Sequence, residues 1–230
     1  MRLQPAGAVP SFSDQIRESQ QASQAPVVTP AFDVIVIGAS AGGLSALAAV
    51  LGALPTTFPT ALAIVLHLSP DRPSMLSDVL ARATPLRVRW ATDRARLEPG
   101  TVYVAPRDQH LVFAADGSMS LLKSPRVHFS RPSVDLLFGS AARAFGARTL
   151  AGVLTGNGND GTGGVAEVHR AGGVVIAQDE ASSEYFGMPR EAIESGCVSF
   201  VLPLPEIAPT LTRLVTLGRP ARAGDRPASR

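Results

Sequence analysis

The chain is poor in the residues that mark several large protein classes. It has one cysteine, Cys197, so no intramolecular disulfide can form, and the composition suits a reducing compartment. Its four histidines are dispersed and the lone thiol has no partner at ligand spacing, so no metal is expected. Lys123 is the only lysine beside twenty arginines, and the net charge is +2. The arginines are scattered except at the ends, which leaves no basic stripe of the kind nucleic-acid binding needs. Apolar runs fall far short of the roughly 18 residues of a membrane span, and Ala61 to Leu66 has the length of a buried strand. No basic segment followed by an apolar one opens the chain, so no signal peptide is expected and the expected location is the cytoplasm.

What is present is enough for one core: 230 residues with 45% apolar content. Residues 1–31 are rich in Gln, Ser, Pro and Ala without periodicity and read as a disordered arm. Residues 218–230 read as a disordered basic tail, which leaves 32–217 as a single domain. Strands are expected at 33–37, 61–66, 101–105, 149–154, 173–177 and 198–202, and helices at 42–54, 73–82, 133–146, 161–171, 188–195 and 204–217. Residues 109–123 alternate around Asp116-Gly117, a hairpin signal. Such alternation predicts an α/β fold: a doubly wound, mainly parallel sheet with helices on both faces and a small β-hairpin.

In such sheets sites form at the carboxyl ends of strands. The segment Val34-Ile35-Val36-Ile37-Gly38-Ala39-Ser40-Ala41-Gly42-Gly43 is a buried-strand pattern running into a glycine-flanked serine, the form of a nucleophile elbow. Ser40 is placed at the start of a helix, where free N–H groups can hold an oxyanion. His67 follows the second strand, and Asp160 lies in Leu154-Thr155-Gly156-Asn157-Gly158-Asn159-Asp160-Gly161. Together they could form a Ser-His-Asp triad. Each also has a plainer reading: Ser40 as a cap of helix 42–54, His67 as a satisfied strand-end histidine, Asp160 as the N-cap of helix 161–171. Asp179 is the rival acid. A dinucleotide loop fits poorly, because Ser40 stands at its middle glycine and His67 where the ribose-binding acid belongs. No organic cofactor is expected.

Several motifs in one order carry a family resemblance. They are Ile37 to Gly43, His67, Val102-Tyr103-Val104-Ala105-Pro106, Arg131-Pro132-Ser133-Val134-Asp135-Leu136-Leu137-Phe138, Leu154 to Gly161, and Phe186-Gly187-Met188-Pro189-Arg190-Glu191-Ala192-Ile193. The chain resembles the catalytic domain of the chemotaxis protein-glutamate methylesterases (CheB-type) over residues 33 to 215. The resemblance implies a hydrolase that cleaves glutamate methyl esters on the cytoplasmic helices of methyl-accepting chemoreceptors, releasing methanol, with deamidation of receptor glutamines as a second reaction. It implies Ser40 as nucleophile, His67 as base and Asp160 as acid, with backbone N–H groups of Ala41 and Asn157 as oxyanion donors. The family often carries Thr and Met at those last two positions, and a backbone donor survives either change. Met188 and Arg190 fall in the motif that implies a substrate groove. Family members commonly carry a receiver domain, and residues 1–31 are too short to be one. The chain is therefore expected to be constitutively open or controlled by a separate receiver protein; a methyltransferase is a further candidate partner. Two alternatives stay open: an esterase or amidase with a non-receptor substrate, and a non-catalytic scaffold that binds receptors or the methyltransferase.

Overall fold

A computed structural model describes residues 30–67 and 76–217 of the chain. Most of the expected arm, the tail at 218–230 and the start of helix 73–82 lie outside the described residues. Pro30 and Ala31, read from sequence as the end of the arm, are tied to the domain instead. The Ala31 N–H donates to the Val215 carbonyl at 2.9 Å, and the Pro30 carbonyl accepts from Arg148 at 2.9 Å.

Seven strands make one sheet, ordered β3-β4-β2-β1-β7-β8-β9. They are β1 (Val34–Ala39), β2 (Ala61–Leu66), β3 (Arg87–Trp90), β4 (Thr101–Val104), β7 (Thr149–Val153), β8 (Val174–Gln178) and β9 (Phe200–Leu202), and every neighbouring pair is parallel. β5 (His110–Phe113) and β6 (Met119–Leu122) form the separate antiparallel hairpin, turning through Asp116-Gly117. The helices among the described residues are α1 (Gly43–Gly52), α2 (Leu76–Ala83), α3 (Val134–Phe145), α4 (Thr162–Arg170), α5 (Gly187–Glu194) and α6 (Leu204–Leu217). The fold is the doubly wound single domain that strand and helix alternation predicts. β3 is the one strand that sequence reasoning missed. Its Arg-Val-Arg-Trp is half exposed on the sheet edge, where charged residues blunt pairing with other chains and hide the strand pattern.

β1 and β2 are wholly buried, which their apolar runs require. Their residues divide by parity between two cores. Ile35, Ile37, Leu62, Ile64 and Leu66 pack in the same cluster as Leu47 and Leu51 of α1, Leu80 of α2 and Leu211 of α6. Val34, Val36, Ala63 and Val65 pack in the cluster that holds Phe138 of α3 and Val165 of α4. Each fully buried Val, Ile, Leu or Phe among them contributes about 1.5–3 kcal/mol. Two apolar layers thus clamp the centre of the sheet, and the chain winds to one side through β2 and to the other through β7. The carboxyl ends of β1 and β7 border the switch point where open α/β sheets form sites.

Candidate active site

Strand register sets the backbones of Ser40 and His67 side by side. Ala39 is paired with Leu66, and the His67 N–H donates to the Ala39 carbonyl at 3.0 Å, so the next residue of each strand stands beside the other. After Ser40 the chain turns into α1. Gly42 caps that helix at φ +72°, a left-handed conformation that favours glycine, and no side chain caps it. Capping α1 is thus not the job of the Ser40 hydroxyl, which has no hydrogen-bond partner among the described residues. The backbone N–H groups of Ala41 and Asn157 likewise have no protein acceptor among them. Both follow strands that end at the switch point, and Asn157 is exposed.

The His67 Nε2 lies 2.8 Å from Oδ2 of Asp160. An ionised carboxylate only accepts, so Nε2 carries the proton and Nδ1 is left with the basic lone pair. Asp160 is 5% exposed and accepts three further bonds: Oδ1 from the Ser133 hydroxyl at 2.8 Å and the Asp135 N–H at 3.0 Å, Oδ2 from the Val134 N–H at 2.8 Å. Burial by itself would raise this carboxyl. The bond from His67, the two N–H groups and the Ser133 hydroxyl outweigh it and hold the group below its ordinary value.

Val134 and Asp135 open α3, so the carboxylate sits at the positive end of that helix. The expected N-cap role on helix 161–171 is therefore corrected. Gly161 is the N-cap of α4, with no side-chain cap bond, while Asp160 serves the start of α3, 26 positions away in sequence from Val134. The rival Asp179 directs its carboxylate to Ser182, at 3.0 Å from the backbone N–H and 2.6 Å from the hydroxyl. The carboxylate on His67 is that of Asp160.

Ser133, His110, Thr155 and Gln178 complete the surroundings, and sequence reasoning missed them as site residues. His110 is fully buried. Its Nδ1 accepts from the Ser133 N–H at 3.1 Å, and Nε2 donates to the Pro125 carbonyl at 3.1 Å. The Thr155 hydroxyl lies 3.1 Å from the carbonyls of both Ala41 and Tyr185. The bond to Ala41 ties the β7 loop to the serine turn, and the Thr155 N–H donates to Oε1 of the buried Gln178 at 2.9 Å, which ties the loop to β8. A polar residue closing an otherwise apolar strand, as Gln178 does, was the available signal.

Met188 and Arg190, the residues expected in a substrate groove, both lie on α5. Met188 is 1% exposed, with its sulfur packed against Gly156, and Arg190 lies over the Phe186 ring at 5.4 Å. Neither lines the cavity of about 260 Å³ that opens beside His67. Met188 packs behind the serine loop.

A family model for CheB methylesterase matches residues 35–211. The chain is 40% identical over 201 residues to the protein-glutamate methylesterase FrzG of Myxococcus xanthus, covering 87% of this chain and 60% of that one. It is 44% identical to a protein-glutamate methylesterase/protein-glutamine glutaminase of Anaeromyxobacter dehalogenans, with coverage of 86% and 58%. The chain thus spans about three fifths of the length of these curated relatives. Among solved structures, the Thermotoga maritima CheB methylesterase catalytic domain superposes with a TM-score of 0.77 at 38% identity, over 80% of this chain and 99% of that one. With a family model matched over residues 35–211 and its fold in common with that catalytic domain, the chain belongs to the CheB methylesterase family.

Proposed function

We propose that the chain is a serine esterase that hydrolyses glutamate methyl esters on methyl-accepting chemoreceptors in the cytoplasm. The observation that carries this reading is the His67–Asp160 contact at 2.8 Å beside Ser40, which follows β1 as His67 follows β2. The names of the relatives support the substrate class. The Ser40 Oγ attacks the ester carbonyl and passes its proton to Nδ1 of His67. Asp160 holds the ring by Nε2 and stabilises the imidazolium. The oxyanion of the tetrahedral intermediate is received by the N–H groups of Ala41 and Asn157. Protonation of the leaving oxygen by Nδ1–H releases methanol and leaves a glutamyl ester on Ser40. A water deprotonated by His67 then attacks that ester, freeing the glutamate carboxylate and restoring the hydroxyl. With glutamine as substrate the same steps release ammonia. The Ser40 to His67 hydrogen bond, open here, closes when substrate is bound. The test is methanol release from methylated receptor by the purified protein, with Ser40→Ala as control. Turnover that survives in that variant would overturn the mechanism.

A further inference from the structure

An oxyanion donor is useful only if it is aimed before charge develops. In a trans peptide the N–H and the C=O of one plane point in opposite directions, so a bond to the carbonyl aims the N–H. The Ala41 N–H shares its plane with the Ser40 carbonyl, which accepts from the Gly43 N–H at 2.8 Å. The Asn157 N–H shares its plane with the Gly156 carbonyl, which accepts from the Met188 N–H at 2.8 Å. Met188 lies in the first turn of α5, where N–H groups have no partner within the helix. Each plane is thus held by itself. The two belong to different loops, beyond β1 and beyond β7, and they must also be held relative to one another.

Thr155 joins them. Its carbonyl accepts from the Ser40 N–H at 3.0 Å, and its hydroxyl lies 3.1 Å from the Ala41 carbonyl, so the plane that carries the Ala41 N–H is fastened on either side to one residue. The same hydroxyl accepts from the Tyr185 N–H at 2.8 Å. The Tyr185 carbonyl in turn accepts from the Gly156 N–H at 2.9 Å, so Tyr185 and Met188 bracket the residue that precedes Asn157. The hydroxyl has one proton and stands 3.1 Å from two carbonyls, those of Ala41 and Tyr185. Tyr185 already receives Gly156, whereas the Ala41 carbonyl has no other donor among the described residues, so the proton belongs on Ala41. Gln178, wholly buried, fixes this relay to the sheet: Oε1 accepts from the Thr155 N–H at 2.9 Å, and Nε2 donates to the Ser182 carbonyl at 2.7 Å.

We propose that Thr155 is a positioning residue that aims both oxyanion donors, the N–H groups of Ala41 and Asn157, at one point, with Gln178 holding it in place. It touches no reacting atom. It acts on Ala41 directly and on Asn157 through Tyr185 and Gly156. The proposal rests on the esterase reading above. A neutral ester carbonyl asks little of the donors and the tetrahedral oxyanion asks much, so the effect falls on kcat and spares KM.

The test uses Thr155→Val, which keeps the shape and removes the hydroxyl, and Thr155→Ser, which keeps the hydroxyl. Competent serines are counted by end-point labelling with a fluorescent fluorophosphonate, in which the Ser40 Oγ displaces fluoride from phosphorus. Methanol release from methylated receptor is then expressed per titrated serine. Thr155→Val should lower kcat per serine about 10–100-fold with KM within about threefold, and Thr155→Ser should restore most of it. A residue kept only for folding would lower Tm and the number of titrated serines, and leave kcat per serine unchanged. That result overturns the proposal, as does a change confined to KM or a serine variant as slow as the valine one. If Thr155→Val does not fold, Thr155→Ala, which leaves room for solvent at the freed groups, is read by the same criteria. Should the unaltered protein release no methanol, the methylesterase reading fails, and the positioning role is read from the rate of fluorophosphonate labelling, which loads the same donors with the phosphoryl oxygen. Slower labelling in Thr155→Val, restored in Thr155→Ser, supports it; equal rates, or no labelling of Ser40, overturn it.

Discussion

Replacing Asp160 by asparagine should weaken the fold and the reaction together, because one carboxylate serves both. Each of its oxygens accepts from one N–H of the first turn of α3 and from one side chain: Oδ1 from Asp135 and Ser133, Oδ2 from Val134 and His67. An amide has one oxygen to offer. If its nitrogen takes the Oδ1 position, the Ser133 hydroxyl can rotate to accept, the His67 tautomer survives and the Asp135 N–H is orphaned. If it takes the Oδ2 position, the Val134 N–H is orphaned and Nε2 of His67 must become the acceptor, which removes the base from Nδ1. The first arrangement is favoured. It leaves a buried donor unpaired, worth about 1–3 kcal/mol, and removes a charge at a helix start, worth about 0.3–2 kcal/mol. The sum is about 1–5 kcal/mol, or about 3–20 °C in Tm for a domain of this size. With the tautomer kept and the charge lost, kcat for methanol release should fall about 10²–10³-fold. A loss near 10⁴-fold would signal the flipped tautomer. The Asp160 carboxyl is held below its ordinary value in the fold, so its stabilisation is present above the unfolded pKa of about 3.9 and disappears as pH falls through the lower folded value. The Tm gap between the two proteins should therefore shrink below about pH 4. Asp179→Asn touches only a local Ser182 turn and should leave kcat within about threefold. Thermal scans from pH 3 to 8 with methanol assays check all of this. A Tm change under about 2 °C at pH 7 would refute the helix-start account.

Three further outcomes are expected. Ser40→Ala should abolish all but a residue of the roughly 10⁶-fold acceleration that a serine nucleophile supports, yet leave Tm within about 2 °C, since its hydroxyl bonds to nothing in the described protein; methanol assay and calorimetry read both. His110→Ala orphans the Ser133 N–H and the Pro125 carbonyl and should lower Tm by about 6–12 °C, with His110→Asn restoring part by accepting from Ser133. Gly156→Ala puts a Cβ into the Met188 sulfur and 2.8 Å from the Ser40 Cβ, so kcat should fall at least about tenfold as the nucleophile is displaced; unchanged kinetics would mean the loop yields freely.

The parts of the molecule that sequence displayed were those set by local pattern. The runs of β1 and β2 read as buried strands because both their faces are covered, and Ser40 and His67 read as site candidates because they follow such runs. The hairpin showed through Asp116-Gly117. Long-range partnerships were hidden. Nothing near Asp160 says that its helix is α3 rather than the adjacent α4, because a helix start is a generic acceptor site and proximity is decided by how α3 packs on the sheet. The turn at His128-Phe129, with both residues at positive φ, carries none of the residues such a backbone favours, so it gave no turn signal. Met188 sits in one of the motifs that carry the resemblance, and a motif does not tell a lining residue from one packed behind the loop.

Ser40 and His67 owe their meeting to the pairing of Ala39 with Leu66. Because faces alternate along a strand, a slide of one residue between β1 and β2 would carry the imidazole into the other layer and turn Ile64 and Val65 to the wrong cores. On the proposed esterase reading, hydrolytic competence and correct threading of the central sheet are then one property. A mis-threaded molecule is silent rather than promiscuous, and any ester it fails to cleave reports on alignment as directly as a loss of the serine would.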